Sequence, residues 1–221
     1  MKRISLVLSL LLLVFCSTVA MAADEETSGF YVGILGGYVM PKDMGVTPKD
    51  GSTQNDIAMD KGDLAGIKVG YIPPVAKYLA TELEYNYSKN SFDNGKQYTD
   101  SGGSYTLDGT TNNMHAFFLN LKLRYPEGSF HPYIGIGPGY SWVKQGDVTL
   151  RATGGSGTMA GGTSSQFAYQ LLAGLDYDIT KNWGVGIGYK YVQVKPSFGG
   201  DLNADIDYKA HVVTLGVNYS F

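Results

Sequence analysis

The chain has a single cysteine, Cys16, at the end of an N-terminal apolar run. Once that run is cut away no thiol remains, which excludes disulfide staples and thiolate chemistry. Beyond residue 22 no apolar stretch approaches the roughly 20 residues of a membrane-spanning helix. If the mature chain enters a bilayer, it does so as strands closed on themselves. Basic residues are few and dispersed, 17 Lys and Arg against 20 Asp and Glu, which argues against a nucleic-acid partner. Proline is scarce, with 8 in the chain, but Pro138 falls in mid-strand in GIGPGY, where a bulge or local irregularity is expected.

The N-terminus carries Lys2 and Arg3, the apolar segment Leu6 to Phe15, and the small-x-small pattern Ala20-Met21-Ala22. This is the layout of a secretory signal peptide over residues 1–22. Phe15, before Cys16, is not the small residue that a lipid attachment site requires. Cleavage after Ala22 leaves a domain of 199 of the 221 residues, 23–221, with 15 basic and 20 acidic residues and a net charge of −5.

That domain is rich in glycine (30 in the chain) and tyrosine (17). Eight segments alternate with period two, at 30–40, 65–71, 79–87, 117–125, 133–142, 167–177, 183–191 and 211–221. Their connections alternate in length. Those at 41–61, 88–112, 144–163 and 193–207 are long and polar; those at 73–77, 126–130 and 178–182 are short. The pattern predicts an all-β fold, an eight-stranded antiparallel up-and-down transmembrane β-barrel, with the short turns in the periplasm and four long loops outside. The last strand keeps its apolar face to the final Phe221 and needs the first strand as partner, which closes the sheet.

Aromatic residues recur near strand ends on the apolar face. Tyr71, Tyr125, Tyr177, Trp183 and Phe221 lie toward the short turns; Tyr38, Tyr87, Tyr140, Trp142 and Tyr191 lie toward the long loops. These two sets have the placement of interfacial girdles. Most strand glycines share the other face with the charged residues, Gly36 being an exception, so that face is assigned to the crowded interior. A soluble barrel with an apolar ligand cavity is the rival fold, and it would leave the aromatic face in water.

The opening FYVGILGGY, the segments LEYNYS, NLKLRY, PYIGIGPGY and LLAGLDYDITKNWGVGIGYKY, and the closing VTLGVNYSF together resemble the outer-membrane β-barrel family that includes the OmpA transmembrane domain, OmpX and the opacity-like proteins. The resemblance covers essentially the whole mature chain. It implies the bacterial outer membrane as location, outer-membrane lipid and lipopolysaccharide as surroundings, and a monomer without cofactor. It also implies that Val217, Tyr219 and Phe221 are read by the barrel-assembly machinery. Full-length OmpA adds a peptidoglycan-binding domain, whereas this sequence stops at Phe221.

Inward from the second, third and fourth strands point Lys68, Glu82, Glu84, Lys122 and Arg124, an expected ion-pair cluster. It reads first as charge satisfied inside a filled lumen, and alternatively as the gate of a small-solute or ion pore. Among the histidines, His115 and His211 face outward on strands expected on opposite sides of the barrel, and His131 reads as a turn residue. Neither outward histidine has a serine and an acid nearby in a hydrolase pattern, so an outer-membrane lipid-modifying enzyme ranks below binding and pore readings. Asp201, Asn203, Asp205 and Asp207 alternate before the last strand, but Ile206 and Val212 stand where a calcium loop needs glycine and a bidentate acid. The tract 154–162 reads as a mobile surface loop, not a phosphate cradle. The expected role is structural or surface interaction through an unknown extracellular ligand of the loops.

Overall fold

The computed structural model describes residues 28–42, 44–48, 55–57, 59–91, 97–100, 103–108, 111–152, 155–195 and 204–221. The signal-peptide reading and Asp201 and Asn203 lie outside these residues. In chain order the strands are β1 (Gly29–Pro41), β2 (Met44–Pro48), β3 (Asn55–Ile57), β4 (Gly62–Ile72), β5 (Leu79–Ser91), β6 (Gln97–Asp100), β7 (Gly103–Asp108), β8 (Thr111–Arg124), β9 (Phe130–Gln145), β10 (Val148–Ala152), β11 (Gly155–Met159), β12 (Gly162–Asp178), β13 (Trp183–Val194) and β14 (Ala204–Ser220).

Eight of them pair in the order β1, β4, β5, β8, β9, β12, β13, β14, every neighbour antiparallel, and β14 returns to β1. The closing seam runs from Tyr31 opposite Ser220 to Pro41 opposite Ala210, and the Phe221 amide donates to the Phe30 carbonyl at 3.0 Å. The sheet is therefore a closed barrel, as the alternation predicts. Closure leaves the barrel strands no free edge.

Side-chain parity holds around the barrel. Phe30, Ile34, Ile67, Leu83, Leu119, Ile134, Ile187 and Leu215 lie exposed on the outer wall, while Lys68, Glu82, Glu84, Lys122 and Lys190 are buried inside. Inward glycines make room for large rings on the facing strand. A Cβ on Gly70 would lie 2.1 Å from the Tyr31 ring, and one on Gly139 2.4 Å from the Phe118 ring. Tyr31 stands opposite Gly70 and Phe118 opposite Gly139 across the ladder, so the ring lies over the gap in the neighbouring strand.

Two expectations are corrected, and a third, at Pro138, is met as a local irregularity without a bulge. The long connections continue the barrel strands beyond its rim: β2 and β3 form a hairpin that extends β14, and β10 and β11 pair where a mobile Gly-rich loop was expected. The reason lies in short alternating segments, VTLRA and SYTLD, whose β-branched and aromatic residues hold a ladder despite the glycines around them. At Pro138 no residue is added. Pairing of β8 with β9 stops at Phe118 opposite Gly139 and resumes in the same register at Leu121 opposite Ile136, so the missing proline N–H costs one short gap rather than a bulge. His131 is not a turn residue; it lies in β9, 0% exposed.

The interior is layered rather than uniformly polar. Toward the loops it is filled by Leu35, Val39, Ala116, Phe118, Val194 and Val212 among others, with a polar strip of Asn86, Ser88 and Asn90 along β5. Toward the short turns it is charged.

Candidate functional site

Glu82 and Glu84 lie two residues apart on β5, so both carboxylates enter the lumen from one strand. They are 1% and 2% exposed. Each is held from several other strands. Glu82 Oε2 accepts from the Tyr31 hydroxyl of β1 at 2.7 Å and from Lys122 Nζ of β8 at 2.8 Å, and Lys68 Nζ of β4 stands 3.4 Å away. Glu84 Oε1 accepts from Lys190 Nζ of β13 at 2.6 Å, from Gln170 Nε2 of β12 at 3.1 Å and from Asn86 Nδ2 at 2.7 Å.

Asn120 joins the two halves. Its amide nitrogen lies 3.2 Å from Glu82 Oε1 and 3.4 Å from Glu84 Oε2, and its oxygen accepts from Gln170 Nε2 at 2.8 Å. Lys122 Nζ also sits 4.2 Å from the centre of the Tyr133 ring. The bonds from Lys190 and Gln170 cross the lumen, because β12 and β13 are not neighbours of β5 in the barrel order. Three lysines thus surround two carboxylates, and Asp176 lines the same space. Charges taken from water this completely persist only when each finds partners of this quality.

Lys68, Glu82, Glu84 and Lys122 therefore meet. Arg124 sits two residues nearer the short turns, half-buried, and lines the adjoining space together with Tyr31, Lys122, Asp176 and Asp178. Lys190, Asn120, Gln170 and Tyr31 belong to the network and were not singled out from sequence. Their inward parity was legible; their meeting depends on closure across the lumen. Two spaces beside the network measure about 20 and about 30 Å³, each large enough to hold water.

At the short-turn end, His131 ties two connections together. Its Nδ1 lies 2.9 Å from the Tyr125 carbonyl oxygen and its Nε2 3.0 Å from Asp178 Oδ2. Both neighbours are acceptors, so both bonds form when both ring nitrogens carry protons.

Outside, the aromatic residues cluster at the two heights read from sequence. Toward the turns Trp183 meets Tyr219, Tyr219 meets Phe221, Phe30 meets Tyr71 and Phe130 meets Tyr177, with centroids 4.6–5.3 Å apart. Tyr125 is exposed nearby, and Val217 faces the same side as Tyr219 and Phe221. Toward the loops Tyr140 meets Trp142 at 5.2 Å, and Tyr87 and Tyr191 each stack near a histidine, while Tyr38 lies exposed with Lys61 Nζ 5.9 Å from its ring centre.

A closed eight-stranded barrel with an apolar outer wall between two aromatic belts is the design of a protein that spans a membrane with strands. The model of the outer membrane protein beta-barrel domain family matches residues 8–221, and the chain belongs to that family. Its location is the bacterial outer membrane. An outer membrane protein of Gluconacetobacter diazotrophicus is 36% identical over 67 residues, which is 30% of this chain and 18% of that protein, so the chain matches only a fifth of that relative's length. Among solved structures, OprG of Pseudomonas aeruginosa is similar with a TM-score of 0.57 and 17% identity, over 90% of this chain and 98% of that one. AlkL in lipid bilayers gives 0.52 at 17%, over 91% and 94%. Neisserial surface protein A gives 0.50 at 17%, over 89% and 100%. At these identities the likeness is one of fold.

Proposed function

We propose that this protein is a closed outer-membrane anchor whose working surface is the β-structure it carries outside the cell. The observation that carries the reading is the four-stranded sheet β11-β10-β7-β6, in which the second and third long connections pair through Thr149 opposite Asp108 to Ala152 opposite Tyr105. Two loops locked to each other present one surface of fixed shape, which suits recognition of an extracellular partner. The interior supports the same reading from below. A charged layer and an apolar layer lie in series, and an ion would have to shed its water to pass the second.

A small-solute or ion pore is the alternative, favoured by the polar strip Asn86, Ser88 and Asn90 that runs beside the apolar layer. Exchange of residues 97–108 and 148–159 together for short Gly-Ser turns separates the two. The surface reading expects the barrel to keep its heat-dependent gel shift while cell adhesion or serum resistance conferred by the parent is lost. Retention of that phenotype by the folded barrel lacking these two segments would sink it.

A further inference from the structure

The outer wall carries one side-chain constellation twice. On β5 and β8, Tyr85 and Tyr87 stand two residues apart, and His115 lies opposite Tyr87. The Tyr85 hydroxyl is 2.7 Å from His115 Nδ1, and the Tyr87 ring is 5.0 Å from the imidazole. On β13 and β14, Tyr189 and Tyr191 face His211 in the same way. There the Tyr189 hydroxyl bonds His211 Nδ1, and the Tyr191 ring lies 5.5 Å away. Both lie toward the long connections, at the height where outer-leaflet headgroups begin.

The next rung outward distinguishes them. Above His211 come Gln193, Lys209 and Lys42, and Lys209 Nζ bonds Asp207 at 2.5 Å while the Gln193 amide bonds the same carboxylate at 2.9 Å. There Lys209 is already held by an acid, Asp207. Above His115 come Lys89, Asn113 and Lys144, side by side on β5, β8 and β9, both lysines exposed. Asp63 on β4 stands across from Lys89 on the far flank. No acid lies between the two lysines on this rung, since Asn113 occupies the position opposite both.

The hydrogen bonds beneath this rung leave it with donors. The Tyr87 hydroxyl donates to Asn113 Oδ1 at 2.8 Å, so the amide's remaining polar group is its NH₂. Two lysines and an amide NH₂ then share one rung. Below it Trp142, opposite His115, and Tyr140 form an apolar shelf with rings 5.2 Å apart.

A patch of donors over an aromatic shelf fits an anion attached to something amphipathic. We propose that the β5–β8–β9 face seats a phosphorylated saccharide headgroup of the outer-leaflet glycolipid, its phosphate between Lys89 and Lys144 over Asn113 and its sugar on Trp142. The β13–β14 constellation, with Asp207 in place, does not take the anion. This inference rests on the barrel's place in the outer membrane and not on the role of its loops.

The chain has two tryptophans, so Trp183→Phe leaves Trp142 as the sole tryptophan, read by excitation at about 295 nm, where tyrosine absorbs little. This protein, refolded into nanodiscs of zwitterionic lipid, is titrated with bisphosphorylated lipid A, with dephosphorylated lipid A and with inorganic phosphate. Lipid A is expected to shift the Trp142 emission saturably. Lys89→Gln with Lys144→Gln weakens it about tenfold; Lys89→Arg with Lys144→Arg keeps binding, and Lys209→Gln changes nothing. A retained heat-dependent gel shift certifies folding of each variant. Equal binding of dephosphorylated lipid, or no loss in the double glutamine variant, overturns the proposal. Inorganic phosphate binding as tightly as lipid A overturns the lipid as ligand and makes the patch a free-phosphate site.

Discussion

Glu82→Ala is expected to lower the unfolding free energy of the barrel by about 3–5 kcal/mol, read as the midpoint shift of urea unfolding in lipid vesicles. The loss comes from what remains. Lys122 Nζ, 2.8 Å from the carboxylate and 5% exposed, and Lys68 Nζ, 3.4 Å away, would face each other inside the lumen without their counter-charge. The Tyr31 hydroxyl would lose its acceptor as well. If the cost is that of orphaned charge, Glu82→Ala with Lys122→Met recovers much of it, because the pair is removed together. A single variant within about 0.5 kcal/mol of the parent would mean that water screens the cluster freely.

Phe118→Ala is the second large effect. The ring is 1% exposed, belongs to the apolar layer with Val39, Ala116 and Val212, and lies against Gly139 of the next strand. Truncation empties a space that the closed barrel cannot collapse to fill, at a cost of about 3–5 kcal/mol. Phe118→Leu keeps most of the volume and should cost well under half as much. Unfolding midpoints of the two variants, measured side by side, check the ratio. Equal effects would place Phe118 at a site that relaxes, not in a packed layer.

The eight barrel strands were legible because period-two alternation with short and long connections is a strong and redundant signal. The same parity placed Lys68, Glu82, Glu84 and Lys122 inside. It could not say which charge meets which, since Lys190 reaches Glu84 from a strand 106 residues away. Grouping by adjacency along the chain passed over Lys190, Asn120 and Gln170, which come from strands farther round the barrel or lack charge. The apolar upper layer was hidden for a related reason. Leu35, Val39, Val192 and Val212 sit on the face that glycine and charge had labelled polar, and their separation from the charged layer is a matter of height in the barrel. A histidine beside a short turn looks solvent-exposed in sequence until Asp178, at the end of β12, is seen beside it.

Closure of the lumen is tested most directly by single-channel recording of the mature chain refolded into a planar bilayer, with the heat-dependent gel shift confirming the fold. A silent bilayer is predicted for the parent and equally for Glu84→Ala, since loss of one charge leaves the apolar layer around Phe118 in place. Regular, discrete openings in the parent, altered in size by Glu84→Ala, would contradict the closed anchor and make the charged layer a gate.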